Sequence, residues 1–540
     1  MLKSQSRLFG RSAGCFWRVL CTAVVFVTGF ASVSCGASDD AKMASDVPNA
    51  GGDDRDTGAN NGTNGSDLPG EQELESTFRS PVASGKFVWI ANPVSGRVAY
   101  VDAATLYVET VRAGNGPTYM AAVPDPVDDV AIVINAASGD ATMLRKRLDG
   151  AITTKRSLIH ERANSWSVSS SGHWAIAWSD FRVAPSLRPS DAFQDITVID
   201  LESNASSAQL TSVALTVGYR PTSVVFNADE TEAYVVNHDG ISVIDLDGSG
   251  STVSRLIPTS DDPFEASGSG DVSITDDGAY AFVRRNDDSI ITILSLSGGV
   301  STEVVLPGRC TDLDLSADGT LALAAVRETN QIAVLPIPSI VSSPGIFELV
   351  TVDNVVVGSV SLASAASVGI AYSNASDQER AVSIDFGQTP AVVRPIKLYS
   401  RVKSAMLAPN GRTGLVIHGD GSSYSLLVLD SQLPPKLAST VGQITQAAIT
   451  SDGSRIVLAS RNDARKEYAA YFIDALSQHI TTHVLPSPPV AVGIVPEASR
   501  AYVAQEHPDG RITFFDLDTG TARTLTGFEL SARVVEGSVQ

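Results

Sequence analysis

Short apolar segments recur along the chain in pairs, about 45 residues from one pair to the next. In each pair the first apolar run ends in a polar turn, and the second run closes on an aspartate. The clearest copies run from Ala233 to Asp245 and from Ala501 to Asp516. Short apolar runs between polar turns are typical of β-strands. A repeat of this length built from short strands predicts a β-propeller, in which each copy forms one blade.

The first apolar run of each copy is the predicted second strand of a blade. Asp-Gly or Asn-Gly pairs precede several of these runs, as at Gly278 and Gly411, and such pairs favour turns with positive φ. The sequence contains ten such copies, whereas propellers usually have roughly four to eight blades. We therefore expect an all-β propeller of four-stranded blades with about eight to ten blades. The predicted second strands are Phe87–Ala91, Val130–Ile134, Trp174–Trp178, Ala233–Asn237, Ala279–Val283, Leu321–Val326, Val368–Tyr372, Thr413–Ile417, Arg455–Ala459 and Arg500–Ala504.

The two ends of the repeat region suggest how the ring closes. The first copy starts at its second strand, whereas the segment from Leu530 to Val539 follows a complete last copy and has the pattern of a strand. We therefore expect this C-terminal strand to supply the inner strand of the first blade. Closure of this kind removes exposed sheet edges that invite aggregation. The predicted propeller domain spans residues 79–540.

Several copies carry a recognisable motif. The segments from Trp89 to Asp102 and from Ala233 to Asp245 resemble the YVTN-type β-propeller repeat, and Pro117 and Pro221 match its proline before the inner strand. The resemblance covers most of the chain from Phe87 to Phe528 and is weak around residues 336–366. It implies the propeller fold, but no particular activity, because proteins with this repeat differ widely in function.

The first 35 residues have the pattern of an export signal. A basic start with Lys3 and three arginines is followed by a run from Val19 to Ser34 that is too short for a comfortable membrane span. The run ends in Ser32-Val-Ser-Cys35, which resembles a bacterial lipobox with Ser32 in place of the usual leucine. That resemblance implies lipidation of Cys35. A conventionally cleaved signal and a retained anchor are the alternatives.

Residues 36–78 are rich in Asp, Gly and Asn and poor in apolar side chains, so we predict a disordered tether. Gly36 after the cysteine favours the outer membrane, and the expected location is the cell envelope with the membrane face left open. The chain has 60 acidic and 39 basic residues, a net charge of −21. This charge argues against nucleic acid as a partner. The expected partners are a membrane, through the lipid on Cys35, and an unidentified protein or carbohydrate ligand.

The sequence offers little catalytic chemistry, and we predict no catalytic residue, metal or cofactor. No nucleophile elbow, HExxH helix or phosphate-binding loop occurs. The closest histidines, His479 and His483, lie in a predicted strand that separates them by roughly 13 Å, too far for one metal ion. Cys310 in a predicted inner strand is expected to be a buried, inert thiol.

Two insertions interrupt the repeat, and they are the predicted binding region. One runs from Ser179 to Asp195 and the other from Ser260 to Asp271. Both lie in loops that a propeller places on one face, and long loops in compact folds often carry function. The predicted binding rim consists of Asp180, Arg182, Arg188, Asp191, Phe264 and Glu265.

These observations predict a cell-envelope lipoprotein whose propeller acts as a binding or scaffolding module. One alternative is a propeller hydrolase, such as a lactonase or another carbohydrate-active enzyme, although the sequence favours a protein without enzymatic activity. A second alternative is a structural spacer in a surface assembly. Exposed binding groups on a rim would distinguish a binding module from a spacer.

Overall fold

A computed structural model of the chain describes residues 81–183, 191–202, 208–247, 250–260, 270–286, 288–431 and 433–531. Within these ranges the chain forms ten four-stranded antiparallel sheets. The strands of each sheet follow one another in the sequence, so each sheet is one blade of a ten-bladed β-propeller. The predicted signal (1–35) and tether (36–78) lie outside the described residues. In the part of the chain that the structure describes, no helix is long and apolar enough to cross a membrane.

Every blade runs from an inner strand beside the central axis to an outer strand. The first five blades are β1 (Val82–Ser84), β2 (Phe87–Asn92), β3 (Arg97–Asp102), β4 (Val108–Arg112); β5 (Pro117–Val123), β6 (Asp129–Asn135), β7 (Asp140–Lys146), β8 (Ile152–Leu158); β9 (Ser165–Val168), β10 (Trp174–Trp178), β11 (Asp195–Asp200), β12 (Thr211–Thr216); β13 (Ser223–Phe226), β14 (Glu232–Asn237), β15 (Gly240–Asp245), β16 (Thr252–Ile257); and β17 (Gly270–Ile274), β18 (Tyr280–Arg285), β19 (Ile290–Ser295), β20 (Ser301–Val305).

The other five blades repeat this order with similar strand lengths. They are β21 (Cys310–Leu315), β22 (Leu321–Val326), β23 (Gln331–Pro336), β24 (Glu348–Thr351); β25 (Ser359–Leu362), β26 (Val368–Tyr372), β27 (Arg380–Asp385), β28 (Val392–Lys397); β29 (Val402–Leu407), β30 (Thr413–His418), β31 (Ser423–Val428), β32 (Lys436–Ser439); β33 (Gln443–Ile449), β34 (Arg455–Asn462), β35 (Glu467–Asp474), β36 (His479–Val484); and β37 (Pro489–Val495), β38 (Arg500–Gln505), β39 (Arg511–Asp516), β40 (Ala522–Thr526).

The predicted second strands are confirmed in all ten blades. They coincide with β2, β6, β10 and their equivalents to within three residues at either end. Every residue of β2 and β10 is buried, whereas the outer strand β12 alternates between exposed and partly buried residues. The central strands are buried on both faces because neighbouring blades cover them, which explains their continuous apolar runs.

The ring is closed by packing between the tenth blade and the first. Buried apolar clusters fill the gaps between successive blades. A further cluster joins Val88 and Ile90 of β2 to Tyr502 of β38 and Phe514 of β39. The Tyr502 hydroxyl also donates a hydrogen bond to the carbonyl of Pro81. The ten blades therefore form one continuous circle of apolar contacts.

The inner strand of the first blade is β1, which pairs with β2 in the register Val82 to Trp89. The prediction that the C-terminal strand supplies this inner strand is therefore wrong. The sequence does not predict β1, because a strand of only three residues is too short to show an alternating pattern. Most of the tail (532–540) lies outside the described residues.

The end of the described chain nevertheless fastens the last blade to the first. A 3₁₀ helix, Phe528–Leu530, follows β40 and lies against β2 and β3. The side-chain amide of Asn92 donates to the Phe528 carbonyl at 2.7 Å, and the Ser95 hydroxyl donates to Glu529 at 2.7 Å. Leu530 is buried in the cluster between the two blades. We call this segment, Phe528–Leu530, the C-terminal clip.

Candidate functional site

The described ends of the two loop insertions lie on one face of the ring. In an antiparallel blade, the turn between the second and third strands lies at the same edge as the end of the outer strand. The loop to the next inner strand starts there too, so both kinds of loop share one face, which we call the upper face. The segment after β10 and the segment after β16 both lie on it.

Asp180 serves the structure of its loop. It follows β10 directly, and its side chain is only 2% exposed. The guanidinium of Arg182 donates to both carboxylate oxygens, at 3.0 and 3.1 Å. Asn164 accepts the Asp180 backbone N–H at 2.7 Å and donates to its carbonyl at 2.9 Å. This carboxylate is enclosed by the protein and orders the start of the insertion.

The other predicted rim residues separate into two groups. Arg182 donates to the Thr222 carbonyl at 2.8 Å and so ties the third blade to the fourth. Asp191 is almost buried and accepts from the exposed Arg162 at 2.6 Å. The three remaining residues lie outside the described ranges: Arg188, Phe264 and Glu265.

The structure brings together four residues beside this insertion that the sequence did not single out. The guanidinium carbon of Arg220 lies 4.8 Å from the ring centre of Tyr219 and 5.6 Å from that of Phe181. Both rings contact His238 edge to face, with centres 5.7 and 5.2 Å away. All four side chains are partly exposed on the upper face. We call this set, Phe181, Tyr219, Arg220 and His238, the Arg220 corner.

Backbone contacts fix the loop that carries the Arg220 corner. The Tyr219 N–H donates to Asp239 at 2.6 Å, and its carbonyl accepts from the His238 N–H at 2.8 Å. Gly218 lies against Asn237, where an added Cβ would come within 1.9 Å of the amide oxygen. Only glycine fits this approach, so the loop is locked onto the second turn of the fourth blade.

Two polar atoms in the Arg220 corner are buried without a hydrogen-bond partner among the described residues. They are Nε of Arg220 and Nδ1 of His238. Burial, followed by the charge of Arg220, lowers the pKa of His238 from its ordinary value, so its imidazole is neutral at pH 7. Buried polar atoms are nearly always paired in folded proteins. A ligand or a water molecule could supply the missing partners of these two atoms.

The sequence offered one signal for this corner. Tyr219 and Arg220 directly precede Pro221, which matches the proline before an inner strand in the repeat. An arginine next to a tyrosine on a binding face is a composition enriched at interfaces. Phe181 lies about 40 residues before Tyr219 in the sequence, so only the tertiary structure brings it to this corner from the neighbouring blade.

The channel side of the ring shows structural chemistry. Asp312 and Asp314 of β21 accept the backbone N–H groups of Val360 and Leu362, each at 2.8 Å. Those donors belong to the open edge of the next inner strand, so the carboxylates satisfy an edge that would otherwise need water. Burial raises the pKa of Cys310 to about 12, and the thiol stays protonated as predicted for an inert cysteine. Within the described ranges no group of side chains could hold a metal ion.

These features define a β-propeller protein with a cationic, aromatic corner on its upper face. No protein-family profile matches the chain, and no curated protein matches it. Among solved structures, it is similar to the dihydro-heme d1 dehydrogenase NirN in complex with DHE, with 12% identity, 85% of this chain and 81% of that chain covered, and a TM-score of 0.43.

Two further solved structures are similar over about half of the chain. Kuenenia stuttgartiensis hydrazine synthase is 14% identical, with 46% of this chain and 76% of that chain covered and a TM-score of 0.31. The β-propeller domain of Myceliophteria thermophila Cps50 (Swd1) is 12% identical, with 48% and 87% covered and a TM-score of 0.31. Matches this distant say nothing about a ligand.

Proposed function

We propose that this protein is a cell-envelope lipoprotein whose propeller, of the YVTN-repeat type, binds a ligand on its upper face. The proposed location in the cell envelope is supported by the export-signal pattern of residues 1–35 and by the lipobox-like sequence that ends at Cys35. The net charge of −21 is consistent with a solvated protein outside the cytoplasm. Outer-membrane attachment through Cys35 holds the propeller on a tether, residues 36–78, at a distance from the bilayer.

The observation that carries the binding role is the Arg220 corner. The Arg220 guanidinium lies near two aromatic rings, and its Nε and the Nδ1 of His238 are buried without a hydrogen-bond partner among the described residues. A structural spacer needs no such arrangement. Each such atom costs stability, on the order of 1–3 kcal/mol, until a ligand or water pairs with it. Aromatic and arginine side chains are also the types that dominate binding energy at interfaces.

The test uses the full-length protein expressed in its own envelope, with two readouts. Palmitate labelling reports the anchor, and we expect labelling of the native protein and none of Cys35→Ala. Capture from detergent-solubilised envelope reports binding, and we expect the double variant Phe181→Ala/Tyr219→Ala to lose a ligand that the native protein retains. Deleting the whole insertion is less informative, because Asp180 and Arg182 support the fold.

Tyr399→Ala is the matched control for the capture experiment. Tyr399 is 46% exposed in an upper-face loop before β29 and is not near the Arg220 corner in the sequence. We expect this variant to retain the ligand. The same captured molecules from native protein and double variant, with both folded by circular dichroism, would rule out the Arg220 corner as the binding surface.

A further inference from the structure

Three arginines occupy the same place in the propeller repeat. Arg220, Arg309 and Arg401 each stand one residue before the Pro, Cys or Val that enters an inner strand. The equivalence of the first two is shown by the threonines that follow. Thr222 and Thr311 each donate to a carbonyl fourteen residues ahead in the second strand, at 3.4 and 3.3 Å.

Only one of these three arginines lacks a carboxylate in the described structure. Arg309 forms an ion pair with Glu328 at 2.7 Å, and Arg401 forms one with Asp377 at 3.3 Å. Arg220 has two aromatic rings in place of an acid. Asp239, the acid that contacts this loop, accepts the Tyr219 N–H and forms no ion pair with the guanidinium among the described residues. The repeat thus pairs its arginine internally in two blades and leaves it open in a third.

The backbone at Arg220 is strained. Its φ is 51°, in the left-handed region, and the equivalent residue in the second blade is Gly116 with a φ of 66°. A non-glycine residue in this region costs about 1–2 kcal/mol, which glycine avoids. Glycine would therefore be less strained than arginine at this position of the fourth blade.

The surroundings of the guanidinium determine what it can bind. Two aromatic rings pack near the guanidinium. Its terminal nitrogens have no partner within the described ranges, so this planar group has a pair of donors to offer. That geometry matches the two oxygens of a carboxylate. The neighbouring imidazole of His238 is neutral and adds a hydrogen-bonding group without charge. One positive charge favours a monoanion, and the strongly negative protein penalises a phosphate dianion.

We propose that the Arg220 corner is a carboxylate-binding site, with Arg220 engaging both oxygens of a monocarboxylate. This inference rests on the proposed binding function and specifies its ligand chemistry. The carboxylate can belong to a uronic acid sugar or to the C-terminal end of a peptide. Both sources share the group that the guanidinium recognises, and they differ in what surrounds it.

The test is isothermal titration of the purified full-length protein in detergent. The probes are glucuronate, its uncharged methyl ester, N-acetylalanine as a terminal carboxylate, and inorganic phosphate. We expect at least one of the two carboxylates to bind in the millimolar range or tighter, and the methyl ester and phosphate to bind at least tenfold more weakly, as expected for loss of a charged hydrogen bond. The tighter of the two carboxylates identifies the source.

Substitutions separate recognition from folding. We expect Arg220→Gly, which copies the second blade, to keep the native melting temperature and to weaken carboxylate binding at least tenfold. Arg220→Gln should weaken it equally, whereas the matched control Arg401→Gln should leave it unchanged. Binding that survives Arg220→Gly, absence of carboxylate binding, or tighter binding of phosphate would each overturn the proposal.

The outcomes also distinguish this inference from the proposed function. If Phe181→Ala/Tyr219→Ala loses its envelope ligand but neither carboxylate binds, the upper face is a binding surface and the ligand chemistry is wrong. If carboxylates bind through Arg220 but no envelope ligand depends on the aromatic pair, the site stands and its role in the envelope does not.

Discussion

At the scale of single residues, the recurring acidic positions of this chain are structural. Asp102, at the end of β3, accepts the N–H groups of Ala104 and Thr105 at 3.0 and 2.9 Å. Asp318 accepts the hydroxyls of Ser316 and Thr320, and these hydrogen bonds lower its pKa. Such local bonds cap the hairpin turns. Recurrence along the chain therefore reports on the fold.

One acidic residue departs from this pattern and provides a pH-dependent prediction. Burial, and then the charge of Glu497, raises the pKa of Asp129 to about 6. A carboxyl whose folded pKa lies above its unfolded value stabilises the fold fully below about pH 4. That stabilisation is lost as the pH rises through about 6. Asp129→Asn keeps a hydrogen-bond acceptor for the Lys86 N–H and removes the ionisation.

We therefore expect Asp129→Asn to raise the melting temperature at pH 8 and to leave it nearly unchanged at pH 4.5. Because Asp129 is partly exposed, the gain at pH 8 should be about 1 kcal/mol in the free energy of unfolding. Thermal melts followed by circular dichroism across this pH range measure it. Asp509→Asn, at an exposed turn, is the control. Equal pH profiles for native protein and Asp129→Asn would contradict the raised pKa.

At the scale of elements, one of the ten gaps between blades is closed without a connecting segment of the chain. Nine gaps between blades are crossed by a connecting segment, but the first and tenth blades are joined by packing and by the C-terminal clip. Asn92 is fully buried and makes contacts both to the C-terminal clip and within its own blade. Its amide nitrogen bonds the Phe528 carbonyl, and its oxygen caps the β2–β3 turn through Val94 at 3.0 Å. The end of β2 therefore helps to connect the first blade to the last.

Asn92→Ala should lower the free energy of unfolding by about 1–2 kcal/mol, because it removes a buried amide together with its hydrogen bonds to the Phe528 carbonyl and the Val94 N–H. Asn237→Ala is the matched control, since Asn237 caps the equivalent turn of the fourth blade through Asp239 and has no clip to hold. Both variants should be destabilised. Only Asn92→Ala should speed hydrogen exchange in β40, and equal exchange there in the two variants would exclude the clip from ring closure.

At the scale of the whole molecule, every blade is made from consecutive strands, and within the described residues no sheet combines strands from the two ends of the chain. This differs from the closure that the sequence predicts, in which a C-terminal strand completes the first blade. The unit of the fold is therefore one blade plus the apolar gap to its neighbour. Such an arrangement resembles a repeat protein bent into a circle.

A circular permutant tests this organisation. We join Ser531 to Pro81 with a flexible Gly/Ser linker and open the chain between Asp353 and Asn354, an exposed turn between two blades. This permutant should fold with a melting temperature within a few degrees of the native one, because no sheet is divided. A second permutant is opened between Glu328 and Thr329, an exposed turn between β22 and β23. This opening divides the sheet of the sixth blade and should lower the stability much more. Similar melting temperatures for the two permutants would contradict blades as units.

The sequence by itself determined the strands, the four-stranded blades and the caps of their turns. Those depend on local patterns: apolar alternation, positive-φ glycines such as Gly278 and Gly411, and aspartates that bond the next few residues. The sequence also predicts ten second strands, and tertiary packing decided that all ten copies form blades of one ring. Packing decided the inner strand β1 as well, because three residues carry no periodic signal. The Arg220 corner was also decided there. Whether an arginine at a repeated position meets a carboxylate or two aromatic rings depends on the neighbouring blade, which lies far away along the chain.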